Sequence, residues 1–302
     1  MTSVRKFDYD IGPEWSGKTI KAFLQHHRFS TAVISMLKNN PYGITIGNKR
    51  VTVLKQLHVG DRLTLRVREK TEPLPPAAIP IEIVYEDEDI AVVNKPADMP
   101  VHPVQNNRDR TLGNAMVYYW QQQNKQYGYH PISRLDKDTT GLLVVAKNAH
   151  AAGLLSAAVK RREVVREYLA LAEGELEGEG TLRFPIVRCE NSVIKRRVGE
   201  TETDATRAIT HYKVLQNYSD YTLVRLRLET GRTHQIRVHL AHIGHPLCGD
   251  WLYGHEGFLL NRPALHAYHL SFVHPISGQP LEFTAPLPDD MKKGIDYEII
   301  GI

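Results

Sequence analysis

His130–Lys147, HPISRLDKDTTGLLVVAK, is the stretch whose reading decides the fold. Leu142, Leu143, Val144 and Val145 form a short uninterrupted apolar run with turn signals before it. Such a run reads as a buried strand. Gly141 lets the backbone turn tightly into it. Arg134, Asp136 and Asp138 crowd the approach. In extended chain Arg134 and Asp136 project to the same face. A carboxylate at the mouth of a buried strand is a candidate for chemistry. Its commonest role, though, is turn or cap formation, so the rest of the chain has to decide.

Working outward, a strand is expected at Ile90–Val93, ended by Asn94-Lys95-Pro96 because proline cannot donate to a ladder. Thr111 can cap a helix that carries Leu112, Ala115, Met116 and Tyr119 on one face. Beyond the central stretch, residues 149–162 have a helical stripe, and Arg166–Leu171 reads as a strand containing Tyr168. A strand tyrosine is usually a core residue with a satisfied hydroxyl; it can also present its ring to a ligand. Residues 188–204 read as an exposed loop or hairpin carrying Lys195, Arg196 and Arg197, usually a solvated triplet but able to touch phosphate. Strands are expected at 206–215 and 221–229. Thr230-Gly231-Arg232 then makes a turn, and Thr233 is expected to cap a helix ending at Gly244.

Toward the N-terminus, Ile20, Phe23 and Leu24 suggest a short helix, and Ser30 a second one with Val33, Ile34 and Leu37 inward. Short strands are expected at 43–46, 51–53 and 63–67. Thr71–Pro80 holds four prolines and reads as a semi-extended linker. The expected organisation is therefore residues 1–72 as one domain, 73–80 as linker and 81–302 as a larger domain.

The chain has 302 residues, 42% hydrophobic and 24% charged, an ordinary globular composition. The net charge is only +4, but it is unevenly spread: residues 1–72 hold 13 Lys/Arg against 6 Asp/Glu. That concentration suits a nucleic-acid grip. Cys189 and Cys248 are the only cysteines, so no disulfide framework is expected and a reducing, cytoplasmic location is. No apolar run approaches a membrane span. His234, His239, His242 and His245 invite a metal reading, but no Cys lies near and HExxH is absent. No phosphate-cradling glycine loop and no Gly-x-Ser-x-Gly elbow occurs.

RLDKDTTGLLVVAK, REYLAL and LETGRTHQIRVHLAHIGHPLCGD, with NKPADMPVHP and LHAYHLSFVHP flanking, resemble the RluA family of RNA pseudouridine synthases. The likeness runs from about Ile81 to Pro288. GKTIKAFL, a helix ending in LKNN, ITIGNKRV and VGDRLTLRV resemble the RNA-binding domain named after small-subunit ribosomal protein S-four. The resemblance implies an α+β protein: a small N-terminal α/β RNA-binding domain, and a catalytic domain built on a mixed, largely antiparallel sheet flanked by helices. It implies isomerisation of uridine to pseudouridine in structured RNA, most simply large-subunit ribosomal RNA, by a monomer with no cofactor and no metal. Asp136 would be the catalytic carboxylate, Tyr168 would pack on the target uracil, and Arg237 would pair with Asp136. Arg134 would help extrude the nucleotide, and Arg232, Thr140 and Gly141 would stand on the substrate side. Ser133, Thr140 and Arg166 depart from the residues most frequent in the family at those places. Transfer RNA is the competing substrate, and a non-catalytic RNA-binding or ribosome-assembly protein the competing class.

Overall fold

The computed structural model describes residues 3–69, 74–103, 108–293 and 295. The first residue of the expected linker, 73, and the end of the expected first domain, 70–72, lie outside these residues, as do 104–107, 294 and 296–302 at and within the expected catalytic domain.

The N-terminal unit contains β1 (Val4–Asp10), α1 (Ile20–His26), α2 (Thr31–Asn39), β2 (Ile44–Ile46), β3 (Lys49–Arg50) and β4 (Arg62–Arg68). Its sheet runs β1-β4-β2-β3 and is antiparallel throughout. Thr19 and Ser30 cap the two helices, each accepting from a backbone N–H three residues on. Phe7, Ile20, Phe23, Leu37, Leu63 and Leu65 belong to its apolar cluster. β1 was not expected: its neighbours are charged and only Phe7 is buried, so no apolar alternation announces it. The strand expected at 51–53 lies at β3 instead, directly after the Gly47-Asn48 turn.

The larger unit continues with β5 (Glu82–Glu86), β6 (Ile90–Lys95), α3 (Leu112–Gln122), β7 (His130–Pro131), β8 (Thr140–Ala146) and α4 (Ala149–Lys160). Then come β9 (Val165–Glu173), β10 (Glu179–Arg183), β11 (Ile186–Arg188), β12 (Arg196–Val198), β13 (Ile209–Asn217) and β14 (Tyr221–Leu228). α5 (Gln235–His242), β15 (Leu265–Val273), β16 (Pro280–Thr284) and α6 (Asp289–Lys292) complete it.

Ten of these strands make one sheet with the path β10-β13-β14-β9-β15-β8-β6-β5; β16 pairs with β15 and β7 with β8. It is mixed and largely antiparallel: β15 runs parallel only to β8. All seven residues of β8 are buried. The two-residue period of a strand sends Leu143 and Val145 to one face, beside Met116 and Trp120 of α3, and Leu142 and Val144 to the other, beside Ala151 and Leu155 of α4. β6 divides in the same way. Helices on both faces are what make a central strand apolar throughout. Gly141, the second residue of β8, has φ +111°, and a Cβ there would stand 2.2 Å from the carbonyl oxygen of Ala267 in β15. Only glycine permits this approach.

Of the other expectations, the helix at 149–162 ends at Lys160, with Asn148 as its cap. The polar stretch 188–204 is the β11–β12 hairpin and its flank. The helix after Thr233 begins one residue later than expected: His234, not Thr233, is the N-cap, at φ 59° and with no side-chain cap bond. Histidine is among the few non-glycine residues that settle in this left-handed region.

Candidate active site

The loop before β8 carries Asp136, and its backbone is clamped from below. Lys95, fully buried at the end of β6, donates from Nζ to the carbonyls of Pro96 at 2.7 Å, Met99 at 2.9 Å and Lys137 at 2.9 Å. Burial pushes its pKa down to about 7, against the pull of Asp138 and Asp136. From the other side Arg262 Nη1 donates to the Asp138 carbonyl at 3.3 Å. Thr139 N–H closes a turn on the Asp136 carbonyl at 3.1 Å. The carboxylate therefore stands on a fixed loop, its side chain 27% exposed.

Facing it is Arg237, from the first turn of α5. Nη1 lies 3.5 Å from Asp136 Oδ2. The expected pairing exists, but Asp136 is not the main partner. Arg237 Nε and Nη2 donate to Asp250 Oδ2 and Oδ1 at 2.7 and 2.8 Å, a bidentate fork on a fully buried carboxylate. Burial works against the guanidinium charge, but Asp250 and Asp136 outweigh it and the pKa is raised. Two nitrogens of Arg237 are thus fixed inside, and the third is presented to Asp136.

Tyr168 of β9 is 5% exposed and belongs to the same apolar cluster as Ile236 and Leu240 of α5. Burial raises its pKa, with Arg166 opposing and Asp136 adding to the shift. Its hydroxyl therefore stays protonated, within electrostatic reach of Asp136. Arg134 is exposed and donates from Nη2 to Thr233 Oγ1 at 3.1 Å, on the same rim. Its charge also lowers the pKa of His102, after burial.

The other three expected residues are placed differently. Arg232 Nε and Nη2 donate to the carbonyls of Arg207 and Asp204 at 3.0 and 2.6 Å, pinning the loop before β13 to the turn before α5. The Thr140 hydroxyl is buried against His266 Nδ1 at 2.8 Å. Gly141 serves the β8–β15 contact. All three hold the frame; none of them extends the group around Asp136.

The structure adds residues that sequence reasoning missed. Asp250 lies in the quoted HPLCGD stretch, but nothing local marks it as the partner of an arginine 13 positions earlier. Tyr253 packs under Arg237, whose Cζ lies 5.1 Å from the ring centroid. His234, a metal candidate by its sequence neighbours, stands beside Asp136 instead. The other histidines of that group have separate partners: His239 Nε2 meets the Phe184 carbonyl at 2.9 Å, His242 packs on the Phe184 ring, and His245 Nδ1 meets the Glu173 carbonyl at 3.0 Å. No set of three or more possible metal ligands gathers among the described residues, and no described helix is long and apolar enough to cross a membrane.

A family model described as RNA pseudouridylate synthase matches residues 89–242. Ribosomal large subunit pseudouridine synthase D of Haemophilus influenzae is 43% identical over 93% of this chain and 86% of its own length. An uncharacterized RNA pseudouridine synthase of Bacillus subtilis is 38% identical over 93% of this chain and 99% of its own. Among solved structures, human RNA pseudouridylate synthase domain containing 1 superposes with a TM-score of 0.58 at 30% identity, over 70% of this chain and 85% of that one.

Proposed function

We propose that this chain, which belongs to the RNA pseudouridylate synthase family, isomerises uridines of large-subunit ribosomal RNA with Asp136 as its catalytic carboxylate. The observation that carries the residue assignment is the triple arrangement of the site. Asp136 is held on a clamped loop, partly open to solvent, opposite an arginine whose other nitrogens are fixed on a buried carboxylate. The substrate class is supported by relatives named for the large ribosomal subunit at 38–43% identity over nearly the whole chain.

The reaction breaks the bond from uracil N1 to the sugar C1′, turns the base, and forms the bond from C5 to C1′. The C5 proton leaves and N1, freed from the sugar, takes up a proton, so the product is an isomer of the substrate. Nothing is oxidised and no group is brought in. A carboxylate held as an anion serves this chemistry at the reacting nucleotide. A charged donor such as Arg237 stabilises the anion and orients it. The uridine has to leave its stack to reach Asp136. Tyr168, at the floor, would meet its face, and Arg134, on the rim, would occupy the space it vacates. Residues 1–72, with their excess of positive charge, form an RNA-binding domain in this reading, and 81–302 the catalytic domain. The cytoplasm is the compartment this reading requires, and a monomer its working form.

The test is tritium release from RNA labelled at uracil C5, with wild type and Asp136→Ala offered ribosomal and transfer RNA separately. Release from ribosomal RNA by wild type alone is expected. Full release by Asp136→Ala would remove the aspartate from its role, and preference for transfer RNA would overturn the substrate.

A further inference from the structure

A histidine outside the Asp136–Arg237–Asp250 set also faces Asp136. His234 Nε2 lies 3.9 Å from Asp136 Oδ2, on the carboxylate oxygen that Arg237 also approaches. Its side chain is only 10% exposed, and its backbone sits in the left-handed region at φ 59°. The left-handed N-cap is a conformation that holds the ring in place at the head of α5 without using it as a cap.

The other ring nitrogen fixes the tautomer. His234 Nδ1 is 2.8 Å from Tyr253 Oη. That hydroxyl oxygen already accepts from the backbone N–H of Arg196 at 2.9 Å. If His234 also donated to it, the phenolic proton would have no partner in a half-buried setting, which is costly. Tyr253 therefore donates to Nδ1, and burial, pushing the phenol up to about 12, keeps that proton in place. A neutral imidazole carries one proton, so it sits on Nε2, toward Asp136. Burial lowers the pKa of His234, against the opposing pull of Asp136, and this favours the neutral ring.

We infer that His234, locked by Tyr253 as the Nε2–H tautomer, is a positioning residue that donates to Asp136 and, with Arg237, aims its carboxylate at the nucleotide. This deepens the reading of Asp136 as the catalytic carboxylate and rests on it. At 3.9 Å the contact is longer than a hydrogen bond; catalytic hydrogen bonds commonly tighten only in the complex with substrate. The contact shortens when the nucleotide enters. Arg196, which orients Tyr253, belongs to β12, so the basic hairpin anchors the far end of the same chain of bonds.

The experiment measures kcat at saturating RNA and RNA affinity separately, for wild type, His234→Ala, His234→Gln, Tyr253→Phe and Asp136→Ala. An amide of glutamine can place an N–H near where Nε2–H stood. Loss of an orienting bond to a charged group is expected to lower kcat about 10- to 100-fold in His234→Ala. RNA affinity should stay within about threefold of wild type. His234→Gln should recover most of that loss, and Tyr253→Phe should fall between. Imidazole 15N shifts of histidine-labelled protein, with His234 assigned by the signal missing in His234→Gln, should show Nε2–H in wild type and a tautomer mixture in Tyr253→Phe. The shifts also read Tyr253→Phe independently of any strain that alanine brings to the left-handed position. Wild-type kcat in His234→Ala, or an Nδ1–H tautomer in wild type, would overturn the inference. So would a glutamine variant as slow as the alanine one. If Asp136→Ala is inactive while His234→Ala runs at the wild-type rate, only the inference fails. If Asp136→Ala is active, the reading beneath it fails as well.

Discussion

Asp250 shows how one fully buried carboxylate can govern a site it does not enter. It accepts the Arg237 fork, and its Oδ1 also accepts the backbone N–H groups of Leu252 and Tyr253 at 3.1 and 3.2 Å. Asn in its place keeps the shape and removes the charge, leaving a buried guanidinium without its counter-ion. Breaking one partner of such a pair costs about 3 kcal/mol. Asp250→Asn should therefore lower unfolding free energy by roughly that amount in urea titration. It should also slow tritium release at least ~10-fold, because Arg237 would no longer be aimed at Asp136. Undiminished stability would mean that the arginine finds solvent or another anion. This dependence was not legible in the sequence. The pair is separated by a helix and a turn, and a buried aspartate in Gly-Asp looks like any turn former. Asp136 is singled out by the apolar strand it abuts, and Tyr168 by the length of the motif around it. The partners of Arg232 and Thr140, two loop carbonyls and His266, were equally invisible, because residue type and motif position say nothing about which way a side chain turns once the chain is packed.

Among the elements, β8 is both the most legible and the most constrained. Its apolar run predicts burial, and α3 and α4 cover its two faces. Its parallel contact with β15 had no sequence signal, since pairing partners over 120 residues apart leave no local trace. Gly141 is the residue that records it. Gly141→Ala would strain φ +111° and press a methyl group onto the Ala267 backbone. The expected loss is at least ~2 kcal/mol, from the left-handed region and the clash together. Circular dichroism melts should show the drop, and a variant within 0.5 kcal/mol of wild type (about the scatter of a surface change) would mean that the strands can separate without cost. β1 and α5 illustrate the opposite failure. β1 hides its single buried residue among charges, and the N-cap of α5 is a histidine where a threonine looks like the better cap.

For the whole molecule, the junction between the N-terminal unit and the large sheet is polar and specific. Arg5 makes a fork to the buried Asp89, Glu69 accepts from the α4 backbone at Ala149 and meets His130, and Phe29 stacks on His150 with ring centroids 3.7 Å apart. Burial pushes the His150 pKa down to about 4. The folded state therefore resists a proton that the unfolded state accepts near pH 6.5. This contribution is complete above the unfolded value and is lost as pH falls toward 4. Between pH 7.5 and 5 it amounts to about 2 kcal/mol. His150→Phe keeps a ring against Phe29 and should flatten the acid decline by that amount, read by urea unfolding at both pH values. An unchanged decline would assign the acid sensitivity elsewhere, as to His266, also pushed to about 4 by burial. The order of strands in the large sheet has a further consequence, in time rather than in space. β15 begins at Leu265 yet lies between β8 and β9, which are made about a hundred residues earlier. During synthesis the loop bearing Asp136 leaves the ribosome long before the strand that braces its neighbour exists. The N-terminal unit can close its own sheet at once, but the large sheet must wait, split, for the end of the chain. A nascent chain stopped short of β15 would therefore carry a finished N-terminal unit beside an unfinished active site.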